Sequence, residues 1–228
     1  MPDDDPDEEP EEDLTEPEDT EDDAETAPPV RLPDAFYDEN MEPARQFTDT
    51  SGHWAKDYIA EASSRGVISG YPDGSFQPDR TMTRAEFATI LWNMAGRPVS
   101  TASLPFTDVG PDDWFRPQIA WAYETGCING TSAAKFSPHS TVTREQAVTI
   151  LCRYSGETDG LFNLSFFADR GQISSYALPA VRWALSAGIL SGVDDTHLKP
   201  RGEATRAQLS ALIVRYIQYI QYLQLLNP

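Results

Sequence analysis

Lysine and arginine are absent from the first 30 residues, which hold sixteen of the 37 Asp and Glu found in all 228 residues. The chain has 17 Lys and Arg and a formal net charge of -20, so residues 31–228 carry only -4. The acidity belongs to one terminal segment. This balance excludes non-specific nucleic-acid binding, which works by neutralising phosphates. No run of about 18 apolar residues occurs, which excludes membrane insertion through a spanning helix. Met1-Pro2-Asp3 has neither the basic start nor the apolar segment of a secretory signal. Export would therefore make this chain a mature fragment of a larger protein. Only two cysteines and three histidines are present. His53, His139 and His197 show no metal-ligand spacing, and no Ser/His/Asp or Cys/His arrangement stands out. The sequence thus offers no metal site, no cofactor and no catalytic residues.

Residues 1–30 alternate Asp, Glu, Pro and Thr, with Leu14 and Val30 the only large apolar side chains. Such a stretch buries too little apolar surface to offset the entropy of ordering it, and reads as a disordered acidic linker. Residues 31–45 form a connector of mixed composition.

The remainder is one motif written three times. Thr83-Arg84, Thr143-Arg144 and Thr205-Arg206 recur at offsets of 60 and 62, and the same offsets link Gly66, Gly126 and Gly188. They also link Gly70, Gly130 and Gly192, then Pro78, Pro138 and Pro200. Phe47-Thr48-Asp49, Phe106-Thr107-Asp108 and Phe167-Ala168-Asp169 open the units, and Trp54 maps to Trp114 and to Tyr176. The units are bounded as 46–103, 104–164 and 165–228, the last with a helical C-terminal extension.

Each unit reads as helix, loop, helix. Trp54, Tyr58, Ile59 and Ala62 form an apolar stripe at helical spacing, and Gly66, Gly126 and Gly188 suit the left-handed residue that ends a helix. Thr83, Thr143 and Thr205 suit N-caps. The second helices bury Phe87, Ile90, Leu91 and Met94, then Ala147, Ile150, Leu151 and Tyr154, then Leu209, Leu212, Ile213 and Tyr216. Phe76, Phe136 and Leu198 plug the intervening loops into the core. A unit of this size has too little interior to stand alone. The fold expected is all-α, three helix-loop-helix repeats in a closed pseudo-threefold bundle sharing one core. An open row would leave apolar ends uncovered.

These residues resemble the S-layer homology (SLH) domain. Unit one carries Phe47-Thr48-Asp49, His53-Trp54-Ala55, Gly66-Val67-Ile68, Gly70-Tyr71-Pro72-Asp73-Gly74-Ser75-Phe76 and Thr83-Arg84-Ala85-Glu86. Three tandem copies over about residues 46–216 match the number usual in Gram-positive surface proteins. The resemblance implies a secreted, non-catalytic module, monomeric itself, that holds a larger protein at the cell wall or S-layer. Its implied partner is a secondary cell-wall polysaccharide bearing a pyruvate ketal on N-acetylmannosamine, bound in grooves between repeats with the motif arginine at the anionic group. Two other roles for such a module are protein–protein assembly within a surface layer and peptidoglycan binding.

The side-chain chemistry agrees with that implication. Arg84, Arg144 and Arg206 are expected to grip the ketal carboxylate through paired charge-assisted hydrogen bonds. Each lies beside a helix N-terminus, whose free N–H groups and dipole favour an anion. For Trp54 and Trp114 a sugar-facing role and a packing role stand open together, while Trp92, Trp121 and Trp183 read as packing. Gly70, Gly130 and Gly192 allow backbone close to the ligand. Asp49, Asp108 and Asp169 either accept from sugar hydroxyls or cap the helix that follows.

The copies differ. The motif glutamate survives as Glu86 but becomes Gln146 and Gln208, interchangeable if its work is to complete a capping box. Tyr176 replaces the tryptophan in unit three, which makes a groove built on that unit's first helix the doubtful one, and at least two working grooves are expected. Cys127 and Cys152 fall at apolar columns and read as small core residues, with a disulfide left open. The apolar residues from Tyr216 to Leu226 either pack back on the bundle or cover a partner helix.

Overall fold

The computed structural model describes residues 45–226. The acidic linker and all of the connector but residue 45 lie outside the described residues. Six α-helices follow in order: α1 (Lys56–Ser64), α2 (Arg84–Met94), α3 (Arg116–Glu124), α4 (Arg144–Ser155), α5 (Leu178–Ser186) and α6 (Arg206–Leu226). Three single 3-10 turns, Leu164–Phe166, Arg170–Gln172 and Ser175–Ala177, lead into α5. The described residues contain no strands, only isolated antiparallel bridges.

The repeat is a unit of sequence but not of packing. Helix α2 packs on α3, α4 on α5, and α6 returns to α1. Each second helix therefore buries its apolar face against the first helix of the next unit, and the last closes on the first. This is why the bundle is a ring and not a row. The faces read from the sequence are the ones buried, with Phe87, Leu91, Met94, Ala147, Leu151, Tyr154, Leu209, Ile213 and Tyr216 all in one continuous core. Phe76, Phe136 and Leu198 enter it as loop plugs.

On the pseudo-threefold axis the closure is made by backbone. Met82 N–H donates to Ala204 O (3.0 Å), Ala204 N–H to Val142 O (2.9 Å) and Val142 N–H to Met82 O (3.0 Å). Antiparallel bridges Thr81–Thr205, Thr83–Thr141 and Thr143–Glu203 flank this cycle. Because Met82, Val142 and Ala204 are fully buried, every amide here needs a partner inside the protein, and the cycle supplies one to each.

Local punctuation follows the sequence. Gly66, Gly126 and Gly188 have φ of +67°, +69° and +69°. Thr83 and Thr143 close capping boxes with Glu86 and Gln146, and Thr205 exchanges the same two bonds with Gln208. One expected feature is corrected. Trp54 does not begin the buried stripe of α1, because it precedes the helix and is 60% exposed; Trp114 is placed likewise and is also 60% exposed. Cys127 and Cys152 are free, buried thiols, and burial pushes both up to about 11. They fill core space at positions where the other repeats place apolar residues. Along α6, Tyr219 and Ile220 pack on the core while Tyr222, Leu225 and Leu226 are exposed.

Candidate functional site

The motif arginines sit at the first residue of α2, α4 and α6, and each reaches into the loop of the next unit. Arg84 donates from Nε to Phe136 O (2.9 Å) and from Nη2 to Asn129 O (2.8 Å). Arg144 does the same to Leu198 O (2.8 Å) and Ser191 O (2.7 Å). Arg206 closes the circle on Phe76 O (2.8 Å) and Ser69 O (2.7 Å). Three guanidinium groups thus staple three interfaces. Burial holds all three below the usual arginine range. Their partners are neutral carbonyls, so the positive charge is not cancelled by the staple.

The adjacent helix N-termini are not free. Arg84 N–H and Ala85 N–H donate to Ser140 O and Pro138 O, and Glu86 N–H to Thr83 Oγ1. Arg144 and Glu145 donate to Gly202 O and Pro200 O, and Arg206 and Ala207 to Arg80 O and Pro78 O. The neighbouring repeat's loop has taken the amides that the sequence reading left to an anion. Those amides are not open to an anion.

Asp49, Asp108 and Asp169 clasp the loops. Asp49 accepts from Phe76 N–H (2.8 Å) and Gln77 N–H (2.7 Å). Asp108 accepts from Phe136 and Ser137 N–H, and Asp169 from Leu198 and Lys199 N–H. The second residue of each pair has positive φ, +56° at Gln77, +58° at Ser137 and +47° at Lys199, which an L side chain adopts at a cost. The double acceptor holds that turn in place. Burial would raise these carboxyls, but the amide hydrogen bonds outweigh it and hold all three below the usual range. None of them caps a helix with its side chain: the N-caps of α1, α3 and α5 are Ala55, Phe115 and Ala177, and Asp169, at the N-cap position of the Arg170–Gln172 turn, makes no side-chain cap bond; the capping alternative is corrected.

Gly70, Gly130 and Gly192 are needed for packing. A Cβ on Gly70 would fall 2.2 Å from the Phe47 ring and 2.6 Å from Ser75 O. On Gly130 it would meet Lys135 O and the Phe106 ring, each at 2.5 Å. The opening phenylalanine occupies the space a side chain would need in units one and two, while at Gly192 the obstruction is Asp194 O at 2.3 Å.

Part of this set meets at a cavity of about 370 Å³. Arg144 comes from unit two, Ser191, Gly192 and Val193 from the loop of unit three, and Trp54 from unit one. The far wall is α6, through Gln208, Ala211, Leu212 and Arg215 at helical spacing. A volume of this size suits a small ligand. Arg215 was not singled out from the sequence. Its column, Asn93, Arg153 and Arg215, varies between units, so the triplicate pattern gave no reason to choose it. The signal that could have found it is its position one turn beyond Ala211 and Leu212, on the same helix face as Gln208.

A closed ring of three helical repeats, held by arginine and aspartate contacts to loop backbone and with a cavity where the repeats meet, defines a class of tandem-repeat module. The S-layer homology domain model matches residues 46–88, 105–148 and 166–210, and the chain belongs to that family, whose domains anchor surface-layer and other cell-surface proteins. Among curated relatives, the surface-layer 125 kDa protein of Lysinibacillus sphaericus is 33% identical over 174 residues, covering 75% of this chain and 14% of the relative. The amylopullulanase of Thermoanaerobacterium thermosulfurigenes is 33% identical over 176 residues, covering 74% and 9%. An endoglucanase of Bacillus sp. (strain KSM-635) is 34% identical over 189 residues, covering 81% and 20%. The chain thus spans at most a fifth of the length of these three proteins.

Proposed function

We propose that this protein is a non-catalytic anchor that binds a pyruvylated, N-acetylmannosamine-containing secondary cell-wall polysaccharide and so retains a larger protein at the outer cell surface. The observation that carries this reading is the Arg144–Trp54–Gly192 cavity, where a guanidinium with no carboxylate partner among the described residues faces the same space as a 60% exposed indole. A pyruvate ketal offers a fixed carboxylate beside a sugar ring. The cation meets the first and the indole face the second. The aspartates and glycines act one step back, holding the loop that frames the cleft. Family membership supports the surface location. The enzymatic names of some relatives attach to proteins of which this chain covers a small part.

Capture by purified walls tests the reading. Native wall material is expected to retain the protein, and chemically depyruvylated material to release it. Trp54→Ala, a change at an exposed ring, should leave folding intact and weaken capture roughly five- to tenfold. Equal capture by both wall preparations would refute a charged ligand. Retention by walls stripped of secondary polymer would point to peptidoglycan, and self-assembly without any glycan to an assembly role.

A further inference from the structure

The cavity holds a second cation. We propose that Arg215 is an anion-binding side chain in its own right, and that with Arg144 it makes this groove, rather than the other two, the principal site for the acidic group of the glycan. The inference rests on the reading of that cavity as the glycan site.

Both guanidinium groups converge on one residue. Arg144 donates from Nη2 to Ser191 O (2.7 Å), while Arg215 donates from Nη1 to Ser191 Oγ (3.0 Å). Arg215 also donates from Nε to the Tyr58 hydroxyl (3.3 Å) and lies 5.2 Å above the Tyr58 ring. That ring is 6.4 Å from the indole of Trp54, in an edge-on arrangement. So unit one presents an aromatic wall, and unit three orients a cation along it. Among the described residues no carboxylate forms an ion pair with Arg144 or Arg215. Nη1 of Arg144 and Nη2 of Arg215 take no hydrogen-bond partner there, and a guanidinium carries donors on all three nitrogens. Asp169 is the acid close enough to favour the charged form of Arg144, yet both its oxygens already accept loop amides. Two like charges held together raise each other's cost, and a bound anion relieves it.

The equivalent places in the other grooves are built differently. Beside Arg206 the column residue is Asn93, whose amide is used by Val67 O, and Glu86 there is paired with Arg80. Beside Arg84 the column residue is Arg153, but the aromatic is Tyr176, and its hydroxyl meets Glu145 (3.4 Å), a buried carboxylate that also binds Ser174. The Arg206 groove brings an ion-paired acid with its cations. In the Arg84 groove Arg84 and Arg153 form no ion pair among the described residues either, but a tyrosine tied to a carboxylate stands where the indole would be. The Arg144 groove alone joins two arginines that form no ion pair among the described residues to an exposed indole.

Calorimetric titration with two probes tests this: an N-acetylmannosamine glycoside bearing a pyruvate ketal, and the same glycoside without it. Arg215→Gln should weaken binding of the ketal-bearing probe about tenfold or more and leave the ketal-free probe unchanged. Arg153→Gln should change either by less than about threefold. Should the glutamine variant fail to fold, Arg215→Lys is measured in its place, with a smaller loss expected on the same probe. An unchanged affinity, or an equal loss on both probes, would overturn the role of Arg215 while a wild-type preference for the ketal still upheld the proposed function. No wild-type preference for the ketal would refute the function itself, and the role of Arg215 with it.

Discussion

The Arg144 and Arg206 interfaces share every repeated contact and differ in what surrounds them. In both, an arginine staples two loop carbonyls, an aspartate clasps two amides, and a capping box starts the helix. Yet Arg206 is only 5% exposed, lies 4.4 Å from the Phe76 ring centre and 5.0 Å from that of Tyr71, and has the Arg80–Glu86 pair nearby. Arg144 is half-buried and lines an open cavity with Arg215. The columns that repeat build the ring, and the columns that vary decide whether a given joint is also a cleft. A strongly repeated arginine is accordingly a better sign of architecture than of ligand contact.

The largest expected effect separates the two interfaces by stability. Removing Arg206 orphans Phe76 O and Ser69 O inside the joint that closes the last unit on the first. Charge-assisted hydrogen bonds of this kind contribute about 1.5–3 kcal/mol each, so Arg206→Ala should cost about 3 kcal/mol or more in denaturant unfolding. Arg144→Ala removes the same two bonds at a wetter joint, where solvent can reach the freed carbonyls, and should cost less. Equal losses below about 1 kcal/mol at both sites would show that the staples do not hold the ring. Replacing all three arginines by alanine would lose the ring together with any bound ligand.

A smaller effect comes from acid. The three clasping aspartates are depressed in the folded protein, so their contribution is fully present above the unfolded value of about 3.9 and is lost as the pH falls through their lower folded values. Melting temperature should therefore hold steady down to about pH 4 and then decline. Asp108→Asn should lower stability at neutral pH and flatten part of that decline. The unit-three loop has an additional acid, Asp194, held down to about 2 by the Thr196 amide first and by His197. Amide exchange in that loop should stay slow to lower pH than in the unit-two loop, which has Thr131-Ser132-Ala133-Ala134 instead. A melting curve flat to pH 2 would remove the clasps from the account.

Much of the ring was legible before its geometry was known. Periodicity fixed the buried faces of α2, α4 and α6, and the glycine, threonine and proline columns marked where helices stop and start. These are local properties, set by backbone conformation and by which face is apolar. The arginine and aspartate columns were legible as important and not as to why, because their partners are backbone atoms about 27 to 137 positions away, and a carbonyl or amide leaves no trace in the identity of its residue. The free helix N-termini inferred from the capping pattern failed for the same reason. Nothing local in Thr143-Arg144 says that Pro200 and Gly202 supply the acceptors. Trp54 was misplaced on a buried stripe because apolar spacing does not reveal that the helix begins two residues later.

The smallest effect is the one that bears most directly on the difference between the two joints. Glu86 has two jobs: one oxygen accepts from Thr83 N–H (2.9 Å) to complete the capping box, and the other pairs with Arg80. Gln146 and Gln208 do the first job with neutral amides, accepting from Thr143 N–H at 3.1 Å and Thr205 N–H at 3.3 Å. Glu86→Gln should thus keep the cap and lose only a partly exposed ion pair, at a cost below about 1 kcal/mol. It would also leave Arg80 beside Arg206 without its acid, bringing that joint electrostatically closer to the Arg144 cavity. A gain in the apparent stoichiometry for the ketal-bearing probe would show that paired acid, and not burial of Arg206, keeps this groove from an anion. An unchanged stoichiometry in a stable Glu86→Gln protein would assign that exclusion to the aromatic packing around Arg206. A stability loss of about 2 kcal/mol, the size of a forfeited cap, would instead mean that glutamate and glutamine are not equivalent at this position.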